Sequence, residues 1–408
     1  MRFPSAALPV PAFPIAVLLT AVLLGGCSGK GSNPVATPSQ PPALTATSAP
    51  PVAGPVFIYS FETPMAERQG SVDLTVVAFD AGTWQELHRT VLPSARVMSL
   101  QLSAQGLLFY IFSAERAADP DELRSLDPVT GDARTFYTTT TGFGSSIALS
   151  PDGSAVAFSE ADKWNYPAPA DLRVLDVSSA AVRTIVTFTA QNPAGFVGTP
   201  VPIVWRDDGH GFVVLGASGT DAGGYATVML DGTVVVHRER DAMSVAPSGR
   251  AAATGGYADT ACALAAAGRT QPLALWDLDA NRIVNSIEDP ALGIRQVTWS
   301  PAGDALLYRQ LSPEEARASC ARTGPEPLGK TFLLSVDGGQ PVPVDDVAAL
   351  RRQWYGDRII DFECGGETAF NPYGDCVFEA ATGRMFLSGR EVVSGEVMRA
   401  IGFIEPRH

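Results

Sequence analysis

The chain has 408 residues, 46% of them hydrophobic and 18% charged, and its 43 Asp and Glu outweigh 29 Lys and Arg to give a net charge of −14. Such a surface repels phosphate backbones and anionic headgroups, which argues against nucleic acid and against broad electrostatic docking on lipid. The acidity keeps an exported domain soluble and leaves a cationic partner open.

The first element in chain order is an address. Arg2 is the only early charge, and the apolar run IAVLLTAVLL over 15–24 follows. That run is too short to cross a bilayer and the right length for the core of a secretion signal, which places the signal at 1–26. It ends Leu24-Gly25-Gly26-Cys27. This motif resembles the lipobox of bacterial lipoproteins; the other reading is a signal cleaved at small residues beside a chance cysteine. The resemblance implies acylation of Cys27, with acyl chains anchoring the protein in place of a transmembrane helix. It further implies the bacterial cell envelope: the outer membrane in a Gram-negative host, the outer face of the plasma membrane in a Gram-positive one. Residues 27–54 are rich in Pro, Ser, Thr, Ala and Gly, too poor in large apolar side chains to fold, and read as an extended tether.

From residue 55 to 408 the sequence reads as strands and turns. VFIYSFE, DLTVVAFD and WQELHRTV come first, within 56–92. A short phrase then recurs between apolar runs: Ser150-Pro151-Asp152-Gly153, with close copies at Pro301–Gly303 and Pro247–Gly249 and weaker ones at Gly106, Gly209 and Gly356. Proline presets the first corner of a turn, Asp bonds back to the backbone, and Gly supplies positive φ. Each copy is therefore a hairpin, flanked by β-branched and aromatic residues. A second hairpin follows each time, an apolar run closing on Asp and a turn, as in DLRVLDVSSAAVRTIV and LALWDLDANRIVNSI.

Two hairpins in tandem make one four-stranded antiparallel sheet per repeat, with complete units at about 96–137, 146–188, 202–239, 243–287, 296–344 and 348–392. The opening segment supplies three strands without a first, and VMRAIGFIE near the end supplies one strand without partners. Setting residues 397–405 beside 56–92 completes one more unit and removes two open sheet edges. The predicted fold is all-β, a seven-bladed β-propeller of four-stranded antiparallel blades closed by pairing the N- and C-terminal strands; the spacing leaves six or eight blades open. The pattern resembles the TolB-type and WD-repeat-like propellers of bacterial envelopes over nearly all of 56–405. The S-P-D-G strand pairs carry that resemblance, and Trp276-Asp277 faintly echoes the WD dipeptide.

Four cysteines remain after Cys27, and an exported chain meets an oxidising compartment, so pairing is the default among three possible arrangements. Cys364 and Cys376 flank one long connection, and Cys262 and Cys320 lie in connections of adjacent blades; the favoured pairs are Cys262–Cys320 and Cys364–Cys376. No C-x-x-C spacing occurs and His88, His210, His237 and His408 form no cluster, so no metal and no cofactor is expected.

Strand parity puts the two tight turns of every blade, between its first and second and its third and fourth strands, on one end of the ring. The long connections emerge at the other end. Function concentrates on loops carried by a rigid scaffold. Trp164, Tyr166, Tyr225, Tyr257, Phe143 and Phe196 fall there and are the ligand-binding candidates, since rim aromatics suit peptides and sugar faces; the competing role is packing on neighbouring blades. No G-x-S-x-G elbow and no H-E-x-x-H is present. Asp152, Asp207 and Asp277 sit at turns, where bonding to the local backbone is their ordinary role. No catalytic residue is assigned. The leading expectation is a lipid-anchored, non-catalytic module or scaffold that binds an envelope or extracellular protein, peptide or glycan. The alternative is a hydrolase or lyase of extracellular polysaccharide using paired carboxylates. Oligomeric state is left open.

Overall fold

The recurring phrase builds the same turn at each copy. Gly153 N–H donates to Ser150 O (2.8 Å) and Ser150 N–H to Ala155 O (2.9 Å), and the copies ending at Gly209, Gly249 and Gly303 repeat both bonds. At Gly106 the second bond comes one residue early, from Ser103 N–H to Leu107 O. All five glycines have φ between +66° and +78°, the left-handed region that side chains disfavour.

In the computed structural model the described residues are 55–345, apart from 65–71, 81–84, 93–95, 114–118, 162–168, 190–192, 194–195, 197, 219–220, 238–242, 255–272, 288–292, 313, 316–317 and 319–328, together with 358–361, 376–379, 384–385 and 397–404. The expected signal, Cys27 and the tether lie outside them.

Strands follow one another around the ring in chain order. The first blade holds β1 (Val56–Pro64), β2 (Val72–Asp80) and β3 (Glu86–Leu92). The second holds β4 (Arg96–Leu102), β5 (Leu108–Ser113), β6 (Asp121–Leu126) and β7 (Ala133–Thr139). The third holds β8 (Phe143–Leu149), β9 (Ala155–Ala161), β10 (Ala170–Asp176) and β11 (Val182–Phe188). The fourth holds β12 (Thr199–Trp205), β13 (Gly211–Ser218), β14 (Asp221–Met229) and β15 (Val234–His237). The fifth holds β16 (Met243–Val245), β17 (Ala251–Thr254), β18 (Leu273–Asp277) and β19 (Arg282–Ile287). The sixth holds β20 (Gly293–Trp299), β21 (Ala305–Leu311), β22 (Lys330–Ser335) and β23 (Val342–Pro343). The seventh shows β24 (Arg358–Asp361), β25 (Cys376–Glu379) and β26 (Arg384–Met385); its expected first strand lies outside the described residues.

The last strand, β27 (Val397–Ile404), pairs antiparallel with β1, from Val56 opposite Ile404 to Glu62 opposite Val397. The first blade therefore runs β27-β1-β2-β3, and both ends of the chain share it. This is a seven-bladed β-propeller, as the repeat predicts.

Predicted unit limits shift at the first strands. β8 begins at Phe143 rather than 146, because a bulge between Phe143 and Ile147 lets the residues before it pair again. β12 begins at Thr199 despite Pro200 and Pro202; a first strand is an edge, where a missing N–H costs no ladder bond on its open side.

Second strands read as unbroken apolar runs because both of their faces are covered. In β5, Leu108 and Tyr110 join the cluster toward the first blade, while Phe109 and Ile111 join the cluster toward the third. In β13, Phe212 and Val214 pack toward the third blade and Val213 toward the fifth. Each such fully buried side chain contributes roughly 1.5–3 kcal/mol. Fourth strands are half-wet, as the pattern of β3, β11 and β19 shows.

Candidate functional site

The tight-turn end is a double ring of nested turns. The turn glycine of one blade sits on the first turn of the blade before it: a Cβ at Gly153 would lie 3.1 Å from Ser103 Cβ, one at Gly249 3.0 Å from Arg206 Cα, and one at Gly303 3.3 Å from Ala246 Cβ. Asp207 N–H also donates to Ser248 O (2.9 Å) across blades. The second turns lean back in the same direction. Gly131 lies under His88 of β3, Gly232 against Ile185 O of β11, Asn281 against His237 of β15, and Gly339 O accepts from Asn285 of β19.

An ion network reinforces this end between the fourth and fifth blades. Arg206, 5% exposed, holds Asp208 through Nη2 (2.8 Å) and also holds Asp279. Arg250 reaches Asp207 (2.6 Å), Asp208 (3.1 Å) and Asp279 (3.4 Å). The hydrogen bond from Arg206 leads in holding the Asp208 carboxyl down to about 2, against the opposing effect of burial.

The opposite end is rooted in one buried and one part-buried acid where the long connections leave the sheets. Glu160, near the end of β9, accepts from Tyr137 Oη (2.9 Å), Thr141 Oγ1 (2.7 Å) and Thr139 Oγ1, and pairs with Arg173 Nη1 (3.0 Å). Burial pushes its carboxyl up, but the three hydroxyl donors and the Arg173 charge more than offset this, and it ends below its ordinary value. Burial, then the bond to Glu160, pushes the Tyr137 phenol up to about 12. Asp121, 3% exposed at the start of β6, accepts from Ser113 Oγ (2.9 Å). Glu160 thus pins residues 139–141, which join the second blade to the third. Both of its oxygens are engaged by these partners, so the cluster orients a connection.

At the inner edge, Ser99 and Gln101 of β4 grip one residue of the next blade. Ser99 Oγ accepts from Ile147 N–H (2.9 Å) and Gln101 Nε2 donates to Ile147 O (2.6 Å). Ser99 has φ +54°, which turns its hydroxyl toward that N–H.

The expected rim aromatics divide. Phe143, Phe196 and Tyr225 are only 5%, 6% and 4% exposed, which corrects the expectation that they stand on the rim. Phe143 opens β8 and packs edge-on against Tyr137 and Phe158. Phe196 meets Phe188 at 4.8 Å, and Tyr225 lies within β14 against Trp276 and Leu278. Sealing a seam between blades gains more than exposing a ring to water. Trp164, Tyr166 and Tyr257 lie outside the described residues, as do Cys262, Cys320 and Cys364; Cys376 begins β25. Asp152 and Asp277 bond to their own turns, through Ser154 N–H and through Asp279 and Ala280 N–H. Asp207 instead bridges to Arg250. Glu160 and Arg206 carry no local signal in the sequence, because Glu160 takes donors from the second blade and Arg206 reaches Asp279 of the fifth. Among the described residues no three His, Cys, Asp or Glu side chains gather as a metal site.

No protein-family model matches this chain, and no curated protein matches it. Among solved structures it is similar to TolB from Acinetobacter baumannii, at 15% identity and TM-score 0.39, over 72% of this chain and 65% of that one, less than two thirds of the TolB chain. It is similar to the β-propeller domain of the Trilobed protease from Pyrococcus furiosus, at 12% identity and TM-score 0.46, over 79% of this chain and 89% of that one. It is also similar to an oligogalacturonate lyase in complex with manganese, at 11% identity and TM-score 0.44, over 86% and 91%. These likenesses concern the fold alone, and the seven sheets with their shared closing blade define the class independently of them.

Proposed function

We propose that this protein is a lipid-anchored cell-envelope propeller that binds a protein, peptide or glycan at the end carrying its long connections. One observation carries the reading: the two ends of the ring are built differently. At the tight-turn end the turns are spent on each other, through Gly153, Gly249 and Gly303 and the Arg206–Asp279 network. At the other end, part-buried Glu160 and buried Asp121 tie down the joint between the second and third blades, and the long connections at that end include Trp164, Tyr166 and Tyr257 in their sequences. A rigid base under variable loops is the usual arrangement for recognition. The saturation of Glu160 supports binding over carboxylate catalysis at that position.

The anchor and the face are tested separately. Replacing Cys27 with Ser should move the protein from the detergent-requiring membrane fraction to the soluble one; unchanged membrane association would sink the anchor. The soluble Cys27→Ser chain, screened against envelope extract and glycan arrays, should capture a ligand that a Trp164→Ala, Tyr166→Ala, Tyr257→Ala triple variant loses by at least about tenfold, since aromatic anchors dominate such contacts. Equal capture by the triple variant would move the site elsewhere.

A further inference from the structure

We propose that the seam between the fourth and fifth blades is an acid-sensitive clasp: neutral His237 holds the turn 278–281 of the fifth blade onto β15, and protonation loosens it. His237 is 1% exposed, and both ring nitrogens are committed. Nδ1 lies 2.8 Å from Asn281 Oδ1, and Nε2 lies 2.9 Å from Thr227 Oγ1. The Asn281 amide is oriented by its other end, whose Nδ2 donates to Val236 O (3.5 Å). Nδ1 therefore carries the hydrogen, and Nε2 accepts the Thr227 hydroxyl.

A proton arriving at Nε2 turns that acceptor into a donor. The Thr227 hydroxyl loses its acceptor, and a cation is left where water does not reach. Among the described residues, the titratable and charged groups around this position are few. Tyr225 lies opposite on β14, and Asp279 stands in the clasping turn. Asp279 attracts a proton toward His237, but Arg206 and Arg250 already share its carboxylate. Burial outweighs the Asn281 bond and the Asp279 charge, so the imidazole is held below its ordinary value. Asn281 itself sits at φ +50°, the left-handed conformation that asparagine tolerates in a turn. Comparable hydrogen bonds at two other seams use groups that do not titrate in this range, Arg183 to Leu230 O and Asn285 to Gly339 O, while at the first seam His88 stands over Gly131.

The test uses the soluble Cys27→Ser chain. Imidazole NMR should show His237 titrating below 6.5, its unperturbed value. Hydrogen exchange, corrected for intrinsic rates, should show a several-fold loss of protection in β15, β19 and the turn 278–281 on going from about pH 8 to about pH 5, while β9 and β10 hold theirs. His237→Gln keeps a donor and an acceptor and should abolish this local loss, whereas His88→Gln should leave it unchanged. Asn281→Asp places a carboxylate on Nδ1 and should preserve protection at acid pH. Titration of His237 at or above 6.5 would overturn the clasp, as would a loss spread evenly over the ring or one that persists in His237→Gln. Should His237→Gln fail to fold, the titration and the Asn281→Asp variant decide.

Discussion

At the scale of single residues, two glycines with the same backbone conformation separate two costs. Gly209 and Gly249 end equivalent turns at φ +73° and +66°. A Cβ at Gly209 meets nothing within 4 Å, whereas one at Gly249 meets the Arg206 backbone at 3.0 Å. Gly209→Ala should therefore cost only the left-handed strain, about 1–2 kcal/mol. Gly249→Ala should cost that plus the displacement of a neighbouring turn, a further 1–3 kcal/mol or so. Urea unfolding of both variants checks the difference; equal losses would mean that the turns do not bear on one another. The glycines were visible in the sequence as punctuation, but which of them touch the next blade was not, because a local phrase says nothing about the turn some fifty residues away in the chain.

At the scale of elements, the seams between blades hold the molecule together, and their chemistry alternates along each strand. The apolar half was legible: LLFYIF and GFVVLG announce strands covered on both faces. The polar half was not. Arg206 needs partners from its own turn and from the fifth blade's second turn, and Glu160 needs donors from the second blade. Replacing Arg206 with Met should cost about 1–3 kcal/mol, because Asp208 and Asp279 would lose its charged hydrogen bonds and keep the exposed Arg250 as their cation. The same network sets an acid response. The Asp208 carboxyl is lower in the folded chain, at about 2, than its ordinary 3.8, so its contribution is complete above 3.8 and is lost as pH falls toward 2. Melting temperature measured against pH should fall across that window in the parent and less steeply in Asp208→Asn; identical slopes would remove Asp208 from the account.

At the scale of the whole molecule, closure depends on a pairing between the two ends of the described chain. β27 covers β1 along seven register positions, and Ile404, Val56 and Ile58 share one buried cluster with the second blade. A chain ending before Val397 would leave β1 as an open edge at the inner side of the ring. Such a truncation should lose cooperative unfolding and associate at concentrations where the parent stays monodisperse, and adding the missing strand back as a peptide should reverse part of the loss. A truncated chain that melts as sharply as the parent would show that the joint is dispensable. Closure also explains why the repeat could be counted: each blade satisfies its neighbours only if the last one meets the first.

The sequence by itself determined what local chemistry controls: the turns, the strand order, the repeat and the need for the terminal strands to complete one blade. Those features depend on residues close together in the chain, or on a deficit of one strand at one end matched by a surplus at the other. Only the tertiary structure decided which side chains are spent inside the seams. Phe143, Phe196 and Tyr225 look alike to Trp164 and Tyr166 when read as loop aromatics, yet neighbouring blades bury the first three. Burial there is a property of two sheets meeting, and no stretch of one strand carries that information.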